Sequence, residues 1–364
     1  MRQVPVVVVA AVDPVLRDAV SFCATCESPD VVVLSHDLTR AAATGEMRRT
    51  AYSAAGLVED EVVHLDHPCL TCALREDIVP SLRRLARSGR WRGIVLALPL
   101  ATDPSVAVGG IASAGDATVV ACVLGVVDAA TLLDDVFGDD LLADRGLHLA
   151  TTDRRSVGET LAGQLDHADV VAAVLSPGAG PGSVDVIAHL AGDRMTVSAG
   201  VESYDVGALF RRRHDPAVAA ARIDPRRVHP RVRPAAPGEA TRPPWTLDLR
   251  SDRPLHPDRL RTNLSALAMG RLRGRGRFWL PTRPGSVCQW DGAGGQLSIG
   301  TAGGWGGTAP STRLVITGLD DAVPVRAAFA DCVLTDTEVA RGQRYWSATD
   351  DGFEPWLGER SDAA

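Results

Sequence analysis

The chain has 364 residues, of which 45% are hydrophobic and 23% are charged, and its formal net charge is −7. This length and hydrophobic content exclude a disordered polymer and are sufficient for two folded domains. No hydrophobic run reaches the ~20 residues of a membrane span, and Met1–Gln3 leads directly into a hydrophobic strand rather than a signal peptide. We therefore expect a cytoplasmic protein that has no membrane partner.

The basic and sulfur-containing residues narrow the possible chemistry. The sequence has no lysine, so every basic side chain is an arginine, and its only asparagine is Asn263. Motifs that depend on lysine are thereby excluded. The seven cysteines are an odd number spread over a long chain, which is typical of a reducing compartment, where paired thiols more often bind metal or do redox work than form structural bridges.

The N-terminal half alternates hydrophobic strands with segments of helical periodicity. This alternation predicts an α/β domain with a parallel sheet and helices on both faces. We assign it to residues 1–210. The predicted strands are Val4–Ala10, Val31–Leu34, Ile94–Leu98, Val119–Val127 and Val170–Leu175.

The turn after the first strand lacks the residues that bind a triphosphate. In such folds a glycine-rich loop presents N–H groups to the phosphates and a lysine reaches the β and γ groups. Here residues 11–18 contain neither, and the first glycine is Gly45. Asp13 and Pro14 suit the N-cap and N1 positions of a helix, which places a carboxylate where a phosphate would bind. We expect no GTP binding, through loss of the site or because the domain never bound a nucleotide.

The densest set of metal-ligating side chains lies between residues 64 and 72. His64, His67, Cys69 and Cys72 supply two imidazoles and two thiols. Because Zn²⁺ favours tetrahedral sites of nitrogen and sulfur, this spacing predicts a zinc site, with His67 favoured over His64 because it is closer to the turn. A helix predicted over residues 78–87 is expected to lower the pKa of Cys72. A redox pair or unreactive thiols are the alternatives.

A second C-x-x-C pair, Cys23 and Cys26, raises the alternative of a shared four-cysteine site. The pair lies near the end of the first predicted helix, and ten helical residues cover about 15 Å. We expect the Cys69 turn at the opposite edge of the sheet, where α/β sheets place their ligands, so we predict two separate pairs. The remaining cysteines lie in hydrophobic patterns and are predicted to be buried: Cys122, Cys288 and Cys332.

A change of composition divides the chain. Residues 211–244 contain nine arginines and three acidic residues among many prolines and alanines, which predicts a basic, partly extended linker. Strands and helices then predict a smaller α+β domain over residues 245–345, followed by a loose tail over residues 346–364. The predicted elements are a strand at 245–249, a helix at 256–269, strands between 271 and 300, a strand at 314–316 and a helix at 323–332.

Four alternating arginines begin the second domain's sheet. The strand period of two places Arg271, Arg273, Arg275 and Arg277 on one face. Such a face suits phosphate groups, and with the basic linker it predicts an RNA-rich partner such as the ribosome. Pairing of these arginines with the protein's own carboxylates is the alternative.

Several segments resemble the CobW family of GTPases, and they cover nearly the whole chain. The resemblance implies a metal-homeostasis protein with a P-loop-type sheet and a C-terminal α+β domain of CobW type. The segment of residues 69–77 is similar to the family's cysteine motif and following helix. Other similar segments are 102–104, 126–129, 164–169, 253–260, 273–279 and 332–336 with Glu338.

The departures from the family pattern affect the nucleotide elements together. Thr71 replaces the middle cysteine of the family's C-x-C-C motif, and Ala97 and Leu100 replace the Walker B glutamate and glycine. Ser176 and the two residues after it replace the base-recognition motif. This combination is similar to an actinobacterial branch, and implies a non-catalytic, zinc-linked adaptor that recruits a ribosome hibernation factor under zinc limitation. The alternative is a GTP-dependent metallochaperone that delivers zinc or cobalt.

Overall fold

The computed structural model describes residues 3–67, 69–113, 117–150, 152–201, 204–240 and 242–360. The chain divides into two compact units. Unit 1 comprises residues 1–135, 140–187 and 191–220, and unit 2 comprises residues 136–139, 188–190 and 221–364.

Unit 1 is built around an eight-stranded sheet with the strand order β4-β3-β2-β5-β1-β6-β7-β8. The strands are β1 (Val4–Ala10), β2 (Val31–Asp37), β3 (Glu46–Ser53), β4 (Gly56–His64), β5 (Gly93–Ala97), β6 (Thr118–Asp128), β7 (Val170–Val174) and β8 (Met195–Ser198). The helices are α1 (Pro14–Glu27), α2 (Ala41–Thr44), α3 (Leu70–Ala73), α4 (Val79–Arg87), α5 (Pro104–Ser113), α6 (Leu132–Phe137), α7 (Val157–His167), α8 (Pro181–Ala191), α9 (Val206–Phe210) and α10 (Pro216–Ile223).

The predicted α/β architecture of unit 1 is confirmed. β2, β5, β1, β6, β7 and β8 are parallel neighbours. The continuous hydrophobic runs predicted the first five, whereas the short, partly exposed edge strand β8 was not predicted. The sequence analysis missed the antiparallel pair β3 and β4 at one edge. These two strands carry many charged residues, and β4 in particular is mostly exposed, so they lack the hydrophobic runs that identify buried strands.

Unit 2 contains a five-stranded antiparallel sheet with the order β12-β11-β10-β13-β9. The predicted α+β fold of this part of the chain is confirmed. Its strands are β9 (Trp245–Ser251), β10 (Leu272–Phe278), β11 (Ser286–Ala293), β12 (Gln296–Gly304) and β13 (Thr312–Gly318). Its helices are α11 (Pro257–Ala268), α12 (Val323–Cys332), α13 (Asp336–Val339), α14 (Gly342–Ser347) and α15 (Glu354–Leu357).

The linker, predicted to be partly extended, and the tail, predicted to be loose, both contain ordered elements. The linker range contains α10 and a 3₁₀ turn at Pro225–Arg227, which contacts β10 and β11. In the tail range, Phe353 is fully buried and packs against Phe278. Asp351 is also fully buried and accepts a hydrogen bond from Arg283 at 2.8 Å. The tail prediction was wrong up to residue 360, and its last four residues lie outside the described residues. No helix in the described ranges is long and hydrophobic enough to cross a bilayer.

Candidate metal centre

The cysteine turn lies at the carboxyl edge of the eight-stranded sheet. β4 runs antiparallel to β3, and β3 runs antiparallel to β2, so β4 points in the same direction as β2. The chain leaves β4 at His64 and enters α3 at Leu70. Cys69 and Cys72 are therefore placed at the edge where α/β sheets generally hold their ligands.

Cys69 is the N-cap of α3. Its backbone is extended, with φ −138° and ψ 156°, and its Sγ atom accepts a hydrogen bond from the Cys72 N–H at 3.4 Å. The Cys69 side chain is exposed, whereas Cys72 is half-buried. The expected lowering of the Cys72 pKa was wrong. The helix begins at Leu70, so Cys72 lies within its first turn, and the interaction with the Cys69 sulfur raises the pKa of Cys72.

The helix after the cysteines contains a π turn at Leu74–Ile78, between α3 and α4. Pro80 explains its position. Proline has no N–H to donate to the carbonyl four residues earlier, which belongs to Glu76, and its ring would clash with that carbonyl in a regular α-helix. Such π turns are frequent at functional sites.

Glu76 brings a carboxylate beside the thiols. It lies four residues after Cys72 and interacts with the Cys72 side chain. Its Oε1 atom accepts a hydrogen bond from Arg75 at 2.6 Å, and its Oε2 atom accepts one from the Asp66 N–H at 3.2 Å. The Arg75 bond, followed by the Asp66 bond, lowers the pKa of Glu76, so the carboxylate is ionised at neutral pH. The sequence analysis did not identify Glu76 as a candidate ligand.

The two histidines are not brought to the thiols. The His64 side chain is 78% exposed, and its Nε2 atom lies 3.9 Å from Glu46 Oε1. His67 is exposed, and its carbonyl accepts a hydrogen bond from the Cys69 N–H at 2.8 Å. Over the described residues, no three or more His, Cys, Asp and Glu side chains are grouped so that they hold a metal ion. The structure therefore presents two thiols and a neighbouring carboxylate.

A buried set of charged side chains anchors the helix that carries Cys72. Asp77, in the π turn, hydrogen-bonds through Oδ1 to His36 Nε2 at 2.8 Å and accepts a second bond from Arg49 through Oδ2. Arg49 also donates to Glu61. His36, Asp77 and Arg49 are all less than 9% exposed. Together they fix the helix to β2, β3 and β4.

The protonation states in this set follow from burial and hydrogen bonding. Burial lowers the pKa of His36, although the Asp77 carboxylate opposes that shift. Burial alone would raise the pKa of Asp77, but hydrogen bonds from His36 and Arg49 outweigh it, and the pKa is lowered. At neutral pH a neutral imidazole therefore faces an ionised carboxylate. Its proton is assigned to Nε2 because Asp77 can only accept, and Nδ1 has no hydrogen-bond partner in the described residues.

The loop after β1 is closed by the protein's own groups. Asp13 caps α1 by accepting a hydrogen bond from the Leu16 N–H at 2.8 Å, as the sequence predicts. The Ala11 carbonyl accepts bonds from the Ala101 N–H at 3.2 Å and from the Gln164 side chain at 3.4 Å. Carbonyl oxygens and a carboxylate thus meet here, whereas a phosphate requires N–H donors.

The loop after β5 is hydrogen-bonded to Gln164 and to α1, next to the loop after β1. The Gln164 amide, which is 1% exposed, also donates to the Thr102 carbonyl at 3.0 Å. Arg17, in α1, donates to the Leu98 carbonyl at 3.1 Å. Ala101 has a φ of +57° and is the only non-glycine residue with positive φ among those described. This turn is therefore both strained and fully buried.

The remaining cysteines have separate locations. Cys23 and Cys26 lie near the C-terminal end of α1, where Cys23 is half-buried and Cys26 is exposed. The prediction that the other three are buried is confirmed for Cys122, Cys288 and Cys332. Burial raises the pKa of both Cys288 and Cys332 to about 12, so these two thiols are not ionised at neutral pH.

The predicted arginine face is largely covered. Arg271 precedes β10 and is exposed, but the Arg273 side chain is only 5% exposed and pairs with Asp291. The expectation that Arg273 faces solvent was wrong, because it also donates to two carbonyls of unit 2, those of Gly274 and Gly292.

The other two arginines of the face contact the segment before β9. Arg275 donates to the His229 carbonyl at 3.2 Å, and Arg277 donates to the Arg226 carbonyl at 3.0 Å. The segment predicted to be a free linker therefore packs along this side of β10.

Comparison with known proteins gives matches to metal-handling relatives. Residues 245–333 match the family model of the cobalamin synthesis protein cobW C-terminal domain. A zinc chaperone of Mycobacterium tuberculosis is 28% identical over 307 residues, covering 78% of this chain and 70% of the relative. A zinc-regulated GTPase metalloprotein activator of Dictyostelium discoideum is 26% identical over 134 residues, covering 35% and 28%. The zinc-bound YjiA GTPase of E. coli aligns with 92% of this chain and 100% of its own, at 14% identity and a TM-score of 0.35.

The matched segment contains all five strands of unit 2, from the start of β9 to the end of β13, together with α11 and α12. The zinc chaperone match extends over most of the chain and so includes more than this segment. These matches agree with the resemblance that the cysteine motif and the C-terminal segments carry. Residues 245–333 of this chain are a cobW C-terminal domain.

Proposed function

We propose that this protein takes part in metal homeostasis by carrying a zinc ion at Cys69 and Cys72. The observation that supports this most directly is the pair of accessible thiols at a helix N-terminus, with the ionised Glu76 carboxylate beside them. Thiolates and carboxylates are normal ligands of Zn²⁺. The zinc-related names of two relatives are in line with this role.

The incomplete ligand set favours a carrier over a structural zinc protein. Structural zinc sites are closed by four protein ligands, whereas sites that exchange or activate a ligand keep a position open. The two thiolates supply two ligands, and Glu76 would supply a third only after a side-chain movement, because the described residues contain no preassembled group of three. The remaining positions are open to water, to His67 after a loop movement, or to a ligand of the receiving protein. Zinc is thus cargo in this proposal.

Zinc competition against a chromophoric chelator tests the proposal. We expect about one zinc ion per chain, and loss of binding when Cys69 and Cys72 are both changed to serine. The matched control is Cys23→Ser with Cys26→Ser, which removes the other C-x-x-C pair and should leave binding unchanged. Glu76→Gln should weaken binding by about tenfold or more if its carboxylate orients or ligates the ion. Equal zinc loss in both double variants would contradict a site confined to the Cys69 turn and support a shared four-cysteine site.

The same variants address the redox alternative. If Cys69 and Cys72 form a redox pair, they will form a disulfide reversibly in a glutathione buffer, and zinc will not protect them from alkylation. The carrier proposal expects zinc to protect both thiols.

We further propose that the protein acts without GTP. The support is the closed loop after β1, which presents acceptors in place of N–H donors. The Asp13 carboxylate already accepts from the Leu16 N–H, and the Ala11 carbonyl accepts from Gln164 and Ala101. Calorimetry with Mg-GTP is expected to detect no binding in the micromolar range. An assay of GTP hydrolysis is expected to give no activity above background. GTP hydrolysis above background would favour the alternative, a GTP-dependent metallochaperone for zinc or cobalt.

A more specific form of the proposal makes the protein an adaptor that recruits a ribosome hibernation factor under zinc limitation. Arg273 is buried and Arg277 contacts the 3₁₀ turn, so Arg271 is the exposed arginine of the predicted face. Ribosome co-sedimentation at two salt concentrations, comparing wild type with Arg271→Gln and with the surface control Arg344→Gln, tests it. Identical sedimentation of all three would remove Arg271 as the contact.

A further inference from the structure

A second candidate site lies within unit 2, far in sequence from the cysteine turn. A cavity of about 440 Å³ is bounded by the 3₁₀ turn Pro225–Arg227, by β10, and by the loop that joins β12 to β13. This volume is in the range of small-molecule sites. The side chains that bear on its chemistry are the Asp224 carboxylate and those of Arg226, Arg227, Arg277, Trp305 and Ser311.

Arg277 is the central cation of this cavity. It is half-buried and donates to the Arg226 carbonyl and to Ser311 Oγ, each at 3.0 Å. Neither acceptor is a carboxylate, and no carboxylate of the described residues forms an ion pair with it. Burial, reinforced by the neighbouring Arg313, lowers the pKa of Arg277. A guanidinium group that is removed from water without a counter-ion is unfavourable. An anion bound beside Arg277 would therefore stabilise this arrangement.

The neighbouring aspartates are already engaged by other arginines. Asp248 accepts from Arg313 at 2.8 Å and from Arg250 at 2.5 Å. Asp224 lies 3.1 Å from Arg226 and 3.9 Å from Arg227.

The side chains that line the cavity contain three guanidinium groups and one carboxylate, which leaves an excess of two positive charges. The whole chain, in contrast, has a formal net charge of −7. Local positive charge of this kind in an acidic protein is expected to attract a polyanionic group such as phosphate.

The cavity also offers an aromatic ring. Trp305 is half-exposed, and its indole N–H donates to the Pro284 carbonyl at 3.1 Å, which holds the ring in place. The hydroxyl groups of Thr308 and Ser311 lie on the same loop. Aromatic rings beside arginines bind nucleotides by stacking on the base while the guanidinium groups contact the phosphate.

From this combination we propose that the cavity binds a nucleoside monophosphate, with Arg277, Arg226 and Arg227 contacting the phosphate and Trp305 contacting the base. The site would be independent of the zinc ion and of the loop after β1. The structural alternative is that Arg277 only clamps the 3₁₀ turn to β10.

Calorimetry of the full chain with AMP, GMP, ribose 5-phosphate and inorganic phosphate at low ionic strength tests the proposal. We expect AMP or GMP to bind once per chain, and Arg277→Gln to weaken that binding by about tenfold or more, since it removes charge-assisted hydrogen bonds. Trp305→Leu should weaken nucleotide binding by about tenfold without changing ribose 5-phosphate binding. Arg233→Gln, an exposed arginine paired with Glu239 outside the cavity, is the control and should bind like wild type.

Three results would overturn the proposal. These are no binding of either nucleotide, unchanged nucleotide binding by Arg277→Gln, and equal affinity for ribose 5-phosphate and AMP. If Arg277→Gln does not fold, Arg277→Lys, which keeps the charge but not the two-sided hydrogen bonding, and Trp305→Leu still provide the test. A melting curve of each variant identifies the clamp alternative, because that role would lower the melting temperature without changing nucleotide affinity. The zinc-site variant Cys69→Ser with Cys72→Ser should bind nucleotide normally, so failure of one proposal does not decide the other.

Discussion

The loop after β1 and the turn at Cys69–Cys72 lie at the same edge of one sheet, and the two are built in opposite ways. In the first, Gln164 and the Ala101 backbone use up the carbonyl groups, and Asp13 uses its carboxylate as a helix cap. In the second, the thiol groups of the two cysteines stay accessible above a helix that is fixed by buried charges.

The difference shows how a shared scaffold keeps one site and closes another. Closing the first loop required only local hydrogen bonds, which satisfy backbone groups that would otherwise be buried without partners. Keeping the second turn open required the buried contacts of His36, Arg49 and Asp77 with the following helix. An exposed loop with few contacts of its own does not hold two thiols together. The predictions below test each kind of support in turn.

The largest expected effect comes from removing the anchor of the cysteine turn. Arg49→Leu leaves the Asp77 carboxylate buried without its arginine partner, and breaking a buried pair in this way costs about 3–5 kcal/mol. We expect that loss in urea unfolding followed by far-ultraviolet circular dichroism, together with weaker zinc binding.

The neighbouring residue provides the control. Arg48 lies on the same strand, but its side chain is 60% exposed and pairs with Asp60 on the surface. Arg48→Leu should leave stability unchanged within the error of the measurement. Similar destabilisation by both variants would mean that the buried set does not anchor the turn.

The second effect concerns the closed loop. Gln164→Ala removes the amide that donates to the Ala11 and Thr102 carbonyls, and a buried polar group that loses its partner costs about 1–3 kcal/mol. The same urea experiment measures this loss. Zinc affinity should stay at the wild-type value, because Gln164 supports the other loop. A drop in zinc affinity equal to that of Arg49→Leu would show that the two loops are coupled.

Sequence periodicity was sufficient for five of the six parallel strands, because strands covered on both faces are hydrophobic throughout, but it missed the short, partly exposed edge strand β8. Val4–Ala10 was predicted with its observed bounds. The antiparallel strands β3 and β4 were missed, since their outward-facing residues are charged and interrupt that pattern. Phe353 and Asp351 were missed for a different reason, because their short segment has no periodicity and is ordered only by contacts with unit 2.

The candidate site was predictable only where its residues are close in sequence. The spacing of Cys69 and Cys72 identified the pair, but spacing alone does not show whether His64 and His67 join it, and among the described residues they form no common group with the thiols. His36 and Asp77 are 41 positions apart, so no local pattern connects them. The covered arginines show the same limit, because alternation predicts a shared face but not the segment that packs on it.

The third effect is a dependence of the free energy of unfolding on pH that is caused by the buried residues His36 and Asp77. The pKa of His36 is lowered in the folded state from its unfolded value near 6.5. At pH values between these two pKa values, His36 is protonated in the unfolded chain but neutral in the folded protein. Stability is therefore complete above pH 6.5 and falls as pH decreases, by up to about 1.4 kcal/mol per pH unit. The pKa of Asp77 is also lowered, from 3.8, so this carboxylate adds to the loss only below about pH 4.

His36→Gln should remove that dependence. Urea unfolding of wild type and variant at several values between pH 5 and pH 8 gives the stability difference at each pH, which subtracts the contributions of His229 and His256, whose pKa values are also lowered. We expect the difference to shrink as pH falls. Parallel curves would mean that the His36 imidazole is not the titrating group.

The smallest effect concerns the strained turn that closes the first loop. Ala101 has left-handed backbone geometry, which costs an alanine about 1–2 kcal/mol relative to glycine. Ala101→Gly relieves that strain but removes a buried methyl group and adds freedom to the unfolded chain, which together cost about 1–2 kcal/mol. The net change is expected to be within about 1 kcal/mol of zero. Ala97 is the matched control, because it is equally buried but lies in β5 with ordinary geometry, so Ala97→Gly should lose about 1–2 kcal/mol without compensation. Urea unfolding of both variants measures the contrast, and equal losses would show that the turn at Ala101 carries no strain and that the first loop is closed by its hydrogen bonds alone.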